Sequence, residues 1–451
     1  MTASSIATVI LAAGHGTRMN SALPKVLHEI GGLSMLGHVV RTAQTLSPDR
    51  QIVVIGAQAP EVGDAALALS DNIKTAVQNP PRGTGDAVTQ ALPALDGFNG
   101  VVLVLYADTP LVKAETMGAL IETVERGGVA TAVLGFKPPE AGSYGRLKLN
   151  ANNGLEAIVE AKDASPDELA ISLCNSGVMA VNSDFLRRAL PKIEPNNAKN
   201  EYYLTDLVAI ARREGQECAA LTAQTEEVIG VNSKIELSAA EKIFQERRRS
   251  EAMASGVTLI DPASVFFSHD TTIEKDVLIE PNVFFGSNVA VKSGARIKAF
   301  SHIEGAAIGA AAQAGPFARL RPGAVLETNA KVGNFVEIKK ATIGENAKVS
   351  HLTYIGDATL GARANIGAGT ITCNYDGFNK HKTIIGADAF VGSNSSLVAP
   401  VTIGDGAYVG SGSVITKDVD AGALAVARGR QSIIEGWAAR FRKAHVTEED
   451  K

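Results

Sequence analysis

The chain has 451 residues, 45% of them apolar and 20% charged, which excludes a disordered polymer and is too long for one ordinary core. Lys and Arg number 43 against 48 Asp and Glu, so the net charge is −5 and a broad nucleic-acid-binding face is excluded as a first reading. No apolar run is long enough to span a bilayer, and Met1 to Gly14, with no positive charge before its apolar stretch, does not read as a secretory signal.

The N-terminal half alternates two patterns. Ala7 to Ala12, Gln51 to Gly56, Val101 to Tyr106 and Ala130 to Phe136 are continuous apolar runs of strand length, as expected for strands buried on both faces of a parallel sheet. Between them, Met35 to Leu46, Gly83 to Leu95 and Glu115 to Glu125 carry apolar residues at a 3.6 period and predict helices. This alternation predicts an α/β, Rossmann-like domain over residues 1–232, with ligands at the carboxyl ends of the strands. Residues 233–256 predict one polar linker helix with an apolar stripe of Leu237, Ala240, Ile243 and Phe244. Its basic cluster, Arg247 to Arg249, reads as a solvated helix end or as a phosphate site.

Over residues 257–451 the pattern changes. Ile273, Ile279, Phe285, Val291, Ile297 and Ile303 stand six apart, and the series runs on, with single-residue slips, to Ile403, Val409 and Ile415. Neither a helix nor a flat strand keeps a six-residue apolar period on one face. Three short strands per coil, each sending one aliphatic side chain inward, satisfy it, which predicts a parallel β-helix of hexapeptide repeats. Counting Thr372 there are about 24 hexads, or about eight coils, a prism roughly 38 Å long at ~4.8 Å per coil. Thr372 to Lys382 breaks the period and must loop out. Gln431 to His445, with the single tryptophan, reads as an amphipathic tail that caps the prism or packs on a neighbouring subunit.

The chemistry begins directly after the first strand, at Leu11-Ala12-Ala13-Gly14-His15-Gly16-Thr17-Arg18-Met19, with Pro24-Lys25 shortly after. Glycines there let backbone N–H groups approach phosphates, and Arg18 and Lys25 supply charge for a polyphosphate. The spacing is neither the Walker nor the dinucleotide pattern. Asp108 ends the strand Val101 to Tyr106, where such a sheet places a metal ligand; capping of the next helix is the alternative.

L-A-A-G-x-G-T-R-M with P-K resembles the sugar-phosphate nucleotidyltransferases. Joined to hexapeptide repeats, the chain resembles the bifunctional N-acetylglucosamine-1-phosphate uridylyltransferase/glucosamine-1-phosphate acetyltransferase family over nearly its whole length. The resemblance implies two steps toward UDP-N-acetylglucosamine, a cell-wall precursor: acetyl transfer from acetyl-CoA, then uridylyl transfer from UTP with Mg²⁺. It implies that Leu11, Ala12, Ala13 and Gly14 hold the uridine side, Arg18 the triphosphate, and Lys25 the phosphates brought together. Gln78, Gly83 and Thr84 would read uracil, while Tyr106, Ala107 and Asp108 would line the site. Asp108 and Asn232 would form the Mg²⁺ pair, and Gly145, Glu160 and Asn175 would bind the sugar. Glu201 to Asp206 also match the family, without individual roles.

In the second half the resemblance makes His351 the general base, with Glu337 as a guess for its orienting partner. Arg321 and Lys339 would clamp the sugar phosphate, with Tyr354 and Asn365 on the sugar. Ala368, Asn374, Tyr375, Ser393, Ser411 and Arg428 would line the acetyl-CoA groove. It also implies a left-handed β-helix and a homotrimer formed through it. Rival readings are a single-activity nucleotidyltransferase whose prism only regulates, and a scaffold with degenerate sites. Three far-apart cysteines, Cys174, Cys218 and Cys373, suit neither a metal site nor a disulfide framework and predict a cytoplasmic setting.

Overall fold

The computed structural model describes residues 5–14 and 16–445. The chain parts into two compact units, one ending at Arg248 and the other beginning at Arg249.

The first unit is built on a mixed sheet. Its strands are β1 (Ile6–Ala12), β2 (Arg50–Gly56), β3 (Ile73–Gln78), β4 (Val101–Tyr106), β5 (Val129–Phe136), a hairpin β6 (Arg146–Leu149) and β7 (Leu155–Val159), β8 (Cys174–Asn182) and β9 (Glu217–Thr222). The spatial order is β9-β5-β8-β4-β1-β2-β3, with the hairpin attached at β8. β1 lies between β4 and β2 and is parallel to both. β8 corrects the expectation of an all-parallel sheet, since it runs antiparallel to β4 and β5. The chain leaves β5 at its carboxyl end, builds the hairpin there and re-enters from that same end, so the next strand has to run back. Predicted helices are found at Met35–Gln44, Thr84–Ala91 and Ala114–Glu125. Apolar layers cover both faces of the sheet, with Val9, Val102 and Val104 in one and Ile10, Leu103 and Leu105 in the other, as the period of two demands.

The division between units falls inside the helix Lys234–Ala254. Ala240 and Phe244 of its stripe are buried with Ile30, Met35, Leu111 and Val231, so its first half belongs to the core of the first unit and is not a free connector. The arginine cluster is half-buried, not solvated. Arg247 donates to the carbonyls of Leu111 and Glu226 at 2.7 and 2.9 Å. Arg249 donates to the Val265 carbonyl at 2.9 Å, with its guanidinium over the Phe266 ring.

The second unit is a parallel β-helix in which each strand pairs with the third one along, Ile279 beside Ile297 and Ile385 beside Ile403. The six-residue series is its core: Ile279, Ile297, Leu320, Val349, Ile366 and Ile403 are all buried. Corners lie three residues past the inward position and adopt positive φ, as at Asp276, Asn282, Asn288, Asn329, Asn346 and Asn394. Asn and Asp tolerate this region better than other side chains. The slips in the period fall at shortened corners, where Gly305, Lys340 and Asp357 take the left-handed conformation. Glycine directly after the inward residue has another cause. A Cβ on Gly309 would lie 2.7 Å from the Leu326 carbonyl oxygen, and one on Gly392 would lie 2.5 Å from the Ser411 nitrogen. Adjacent coils approach too closely there for any side chain. The tail Gln431 to His445 is exposed throughout, so it does not cap the prism of its own chain.

Candidate functional sites

In the first unit, β1 and β4 end side by side, with Leu11 level with Tyr106. The cleft above them has a volume of about 390 Å³. Most of the predicted residues line it: Leu11 to Gly14, Lys25, Gln78, Gly83, Thr84, Tyr106, Asp108, Glu160 and Asn175. Others do not. Arg18 is exposed on the short turn Thr17–Met19. Ala107 is fully buried and its N–H donates to the Leu11 carbonyl at 3.0 Å. Gly145 stands behind the lining, where a Cβ would meet the Glu160 carboxylate at 3.4 Å. His15 lies outside the described residues.

Gln78 is oriented by its own neighbours. Its Nε2 donates to the Gly83 carbonyl at 2.9 Å and to Asp86 Oδ2 at 2.8 Å, which leaves Oε1 as the acceptor it can offer a base edge. Gly83 has φ +113°, and a Cβ there would lie 2.6 Å from the Tyr202 carbonyl oxygen, so only glycine fits. The segment Glu201 to Asp206, which had no assigned roles, is zipped to this loop. Gly85 N–H donates to the Tyr202 carbonyl at 2.8 Å and Leu204 N–H to Thr84 Oγ1 at 3.0 Å. Lys199, Glu201, Tyr203 and Thr205 thereby enter the cleft wall. The Glu-Tyr-Tyr-Leu-Thr-Asp motif signalled the last three, and nothing in the sequence reading pointed to Lys199.

On the Asn175 side of the cleft, a register shift in β8 between Asn175 and Met179 frees the chain to turn at Gly177, whose N–H donates to Asn175 Oδ1 at 2.9 Å. Asn175 N–H in turn donates to the Gly145 carbonyl at 2.8 Å, which ties the hairpin to the site. Burial holds the Glu160 carboxyl above its ordinary range; Lys199 opposes this and Asp163 and Asp206 reinforce it. Burial likewise raises the Tyr106 and Tyr144 phenols.

Asp108 does not cap the following helix, which begins at Ala114 after Lys113. Its Oδ2 is 2.5 Å from Lys25 Nζ, and Asn232 Oδ1 is 3.1 Å from the same ammonium. Glu236 fixes Asn232 by accepting from its backbone N–H at 2.7 Å. Two hard oxygens therefore already face one cation, a donor set that suits Mg²⁺, an ion held by few protein oxygens and by substrate phosphates.

In the second unit, register places His351 directly beside Asn334, and their Nδ1 and Oδ1 atoms are 2.5 Å apart. The guess of Glu337 is corrected here. Glu337 pairs with Arg321 at 2.8 Å, diagonally across neighbouring coils, since register sets Glu337 level with Arg319. Asn334 escaped the sequence reading because its partner is one coil away, 17 residues along the chain. Lys339 is held below the usual lysine value, first by the neighbouring Lys380 and further by Arg321. Lys380, unassigned from sequence, thus completes a cluster of three cations with Arg321 and Lys339. It sits in the extruded loop, which is a hairpin with Tyr375 bridged to Lys380. Asp376 pins that loop, accepting from the Phe378 and Asn379 amides at 2.8 and 2.6 Å and lying 2.7 Å from His381 Nε2. These contacts hold its carboxyl far below the usual range.

Of the remaining predicted residues, Tyr354 lies on the same strand as His351, and Asn365 on another face, between Lys348 and Phe390. Ala368, Ser393 and Ser411 follow Ile366, Val391 and Val409 by two, as His351 follows Val349. The register therefore stacks them in one ladder running on from His351. Arg428 closes the ladder by donating to the Ser411 carbonyl at 2.9 Å. Asn374 is buried and donates to Asp357 at 2.5 Å, whereas Tyr375 is exposed.

Comparison with known proteins matches residues 8–174 to the MobA-like NTP transferase domain and residues 382–417 to the bacterial transferase hexapeptide (six repeats). Over its full length the chain is 52% identical to the bifunctional protein GlmU of Paramagnetospirillum magneticum, with 100% of both chains covered. It is 53% identical to that of Maricaulis maris, covering 97% of this chain and 96% of the relative. For that of Sphingopyxis alaskensis the identity is 51%, covering 97% of each.

Proposed function

We propose a division of labour within this chain, which belongs to the family of the bifunctional GlmU proteins and is a UDP-N-acetylglucosamine diphosphorylase and glucosamine-1-phosphate N-acetyltransferase. Residues 1–232 carry uridylyl transfer, 233–256 link, and 257–451 carry acetyl transfer. The observation that carries this reading is the His351–Asn334 pair at the head of a ladder of small residues, which a merely structural prism has no need of.

For acetyl transfer, His351 removes a proton from the ammonium of glucosamine 1-phosphate, the freed amine attacks the thioester carbonyl, and the C–S bond breaks as the CoA thiolate leaves and takes up the proton from His351. Arg321, Lys339 and Lys380 hold the phosphate, with Tyr354 and Asn365 on the sugar. The arm of acetyl-CoA lies along Ala368, Ser393 and Ser411, with Asn374, Tyr375 and Arg428 at its flanks. For uridylyl transfer, Gln78, Gly83 and Thr84 read uracil, Leu11 to Gly14 and the backbone around Ala107 cradle the nucleotide, and Arg18 approaches the triphosphate from the rim. Gly145, Glu160 and Asn175 seat the sugar, with Tyr106 beneath. The sugar phosphate oxygen attacks the α-phosphorus in line and pyrophosphate leaves, so positioning and charge neutralisation do the work. Asp108 and Asn232 would hold Mg²⁺, which supplies positive charge to the polyphosphate when bound.

No described helix is long and apolar enough to cross a membrane. The three cysteines are free thiols, which suits the cytoplasmic setting proposed. A homotrimer is supported by one outward column of the prism. Thr272, Ala290, Ala307, Val325, Thr342, Thr359, Ile384 and Thr402 stack in register without a single charge. The exposed tail, with Ile433, Ile434, Trp437 and Phe441, would pack on a neighbouring copy. Light scattering tests this: a mass three times that of the chain is expected, and Val325→Lys with Ile384→Lys should lower it. The functional reading is tested by supplying glucosamine 1-phosphate, acetyl-CoA, UTP and Mg²⁺ and following free thiol and pyrophosphate separately. Pyrophosphate release without thiol release, under conditions that form the nucleotide sugar, would reduce the chain to its first activity.

A further inference from the structure

Lys25 has two positions to fill and one ammonium. Its Nζ lies between Asp108 Oδ2 and Asn232 Oδ1, at 2.5 and 3.1 Å. These are the oxygens proposed for the divalent cation, while the transfer reaction needs Lys25 on the phosphates. A divalent cation on Asp108 Oδ2 would stand close to an ammonium still bound to that oxygen, and two cations at such range repel.

The stem of Lys25 is fixed. Its side chain is only 10% exposed. Its backbone begins the short turn Lys25–Leu27 after Pro24. Gly16 lies against it, so that a Cβ at position 16 would come 2.5 Å from Lys25 Cβ. The end of the side chain is therefore the part left to move. Asn232 is equally fixed from behind by Glu236.

We propose that Lys25 is the resident counter-ion of the metal site. Its ammonium neutralises Asp108, leaves when a divalent cation takes the two oxygens, and is thereby released to the nucleotide phosphates. Without nucleotide the released ammonium has no anion to go to, so the cation binds weakly. With the triphosphate present the exchange is favourable, and metal and nucleotide bind cooperatively. This rests on the metal reading of Asp108 and Asn232.

The test is direct Mn²⁺ binding, read from the free-ion electron paramagnetic resonance signal, on the full chain without nucleotide. Lys25→Met is expected to bind Mn²⁺ about tenfold tighter than the unsubstituted protein, the factor that about 1.4 kcal/mol represents. Equal or weaker binding by Lys25→Met overturns the exchange. Asp108→Asn separates the two layers: lost Mn²⁺ binding supports the metal reading, and retained binding overturns that reading and the exchange with it. If Lys25→Met does not fold, the unsubstituted chain gives the answer. Labelling of Lys25 by an amine-reactive reagent, followed by mass spectrometry, is expected to rise when saturating Mn²⁺ is added alone. Unchanged labelling overturns the proposal.

Discussion

Asn334 Oδ1 stands 2.5 Å from Nδ1 of His351, one coil away on the prism. An amide oxygen only accepts, so Nδ1 carries the ring proton and Nε2 keeps the lone pair a general base needs. The coil repeat thus orients this ring as a buried carboxylate does in catalytic histidine sites. His351→Ala is expected to lower kcat for acetyl transfer by about 10²- to 10⁴-fold and leave uridylyl transfer unchanged. Asn334→Ala should cost acetyl transfer roughly tenfold, with KM for glucosamine 1-phosphate nearly constant, since it acts through the tautomer. Separate assays of thiol and pyrophosphate release check both.

Lys380→Ala should act on binding. The cation cluster with Lys339 and Arg321 loses a member, so KM for glucosamine 1-phosphate is expected to rise about tenfold or more with a smaller change in kcat. Steady-state kinetics of acetyl transfer at varied sugar phosphate decide it. A fall in kcat alone would place Lys380 outside the phosphate site.

The sugar side of the first unit should show a pH limb. In the sugar-binding role proposed for it, Glu160 accepts from hydroxyls best when ionised, and burial keeps its proton on to a pH above the ordinary 4.5. Ionisation is therefore completed only as pH rises through that raised value, and KM for N-acetylglucosamine 1-phosphate should climb as pH falls back through it. In Glu160→Gln this dependence is expected to vanish while KM is higher throughout. Pyrophosphate release across acidic to neutral pH measures both effects.

Gly309→Ala and Gly392→Ala test the spacing of the prism. Each new Cβ would press on the next coil at 2.7 and 2.5 Å, against backbone that cannot swing aside. A loss of about 1–3 kcal/mol is expected for each, read as a lower thermal midpoint of the second unit. An alanine at Gly422, where a Cβ would meet nothing within 4 Å, should avoid the coil clash and cost only what its positive φ imposes.

Legibility in the sequence followed the range of the interactions. The six-residue series could be read because each inward side chain repeats the same local task, and burial of Ile279 through Ile415 is its direct image. β1, β2, β4 and β5 could be read because both their faces are covered. β3 could not, since it is an edge strand with Lys74, Thr75 and Val77 exposed, and the direction of β8 depended on where the chain re-entered the sheet. Side-chain partners were the hardest part. Lys25 and Asp108 are 83 residues apart and Asn334 and His351 are 17 apart; only strand order and coil register bring them together. Lys380 lies in a segment that obeys no period, so nothing in the pattern pointed from it to Lys339.

The ladder from His351 through Ala368, Ser393 and Ser411 has a consequence for chain length. Each step is one strand spacing, ~4.8 Å, and cannot be stretched or shortened by side-chain adjustment. In the acetyl-transfer role proposed for this ladder, the prism works as a ruler graduated in whole turns, set to the reach of a long, flexible acyl carrier from its reactive end to its nucleotide. Gaining a turn beyond Arg428 or losing one before His351 would leave that gauge intact. A turn removed between His351 and Ser411 would leave every surviving residue well packed and the carrier one graduation too long for its berth.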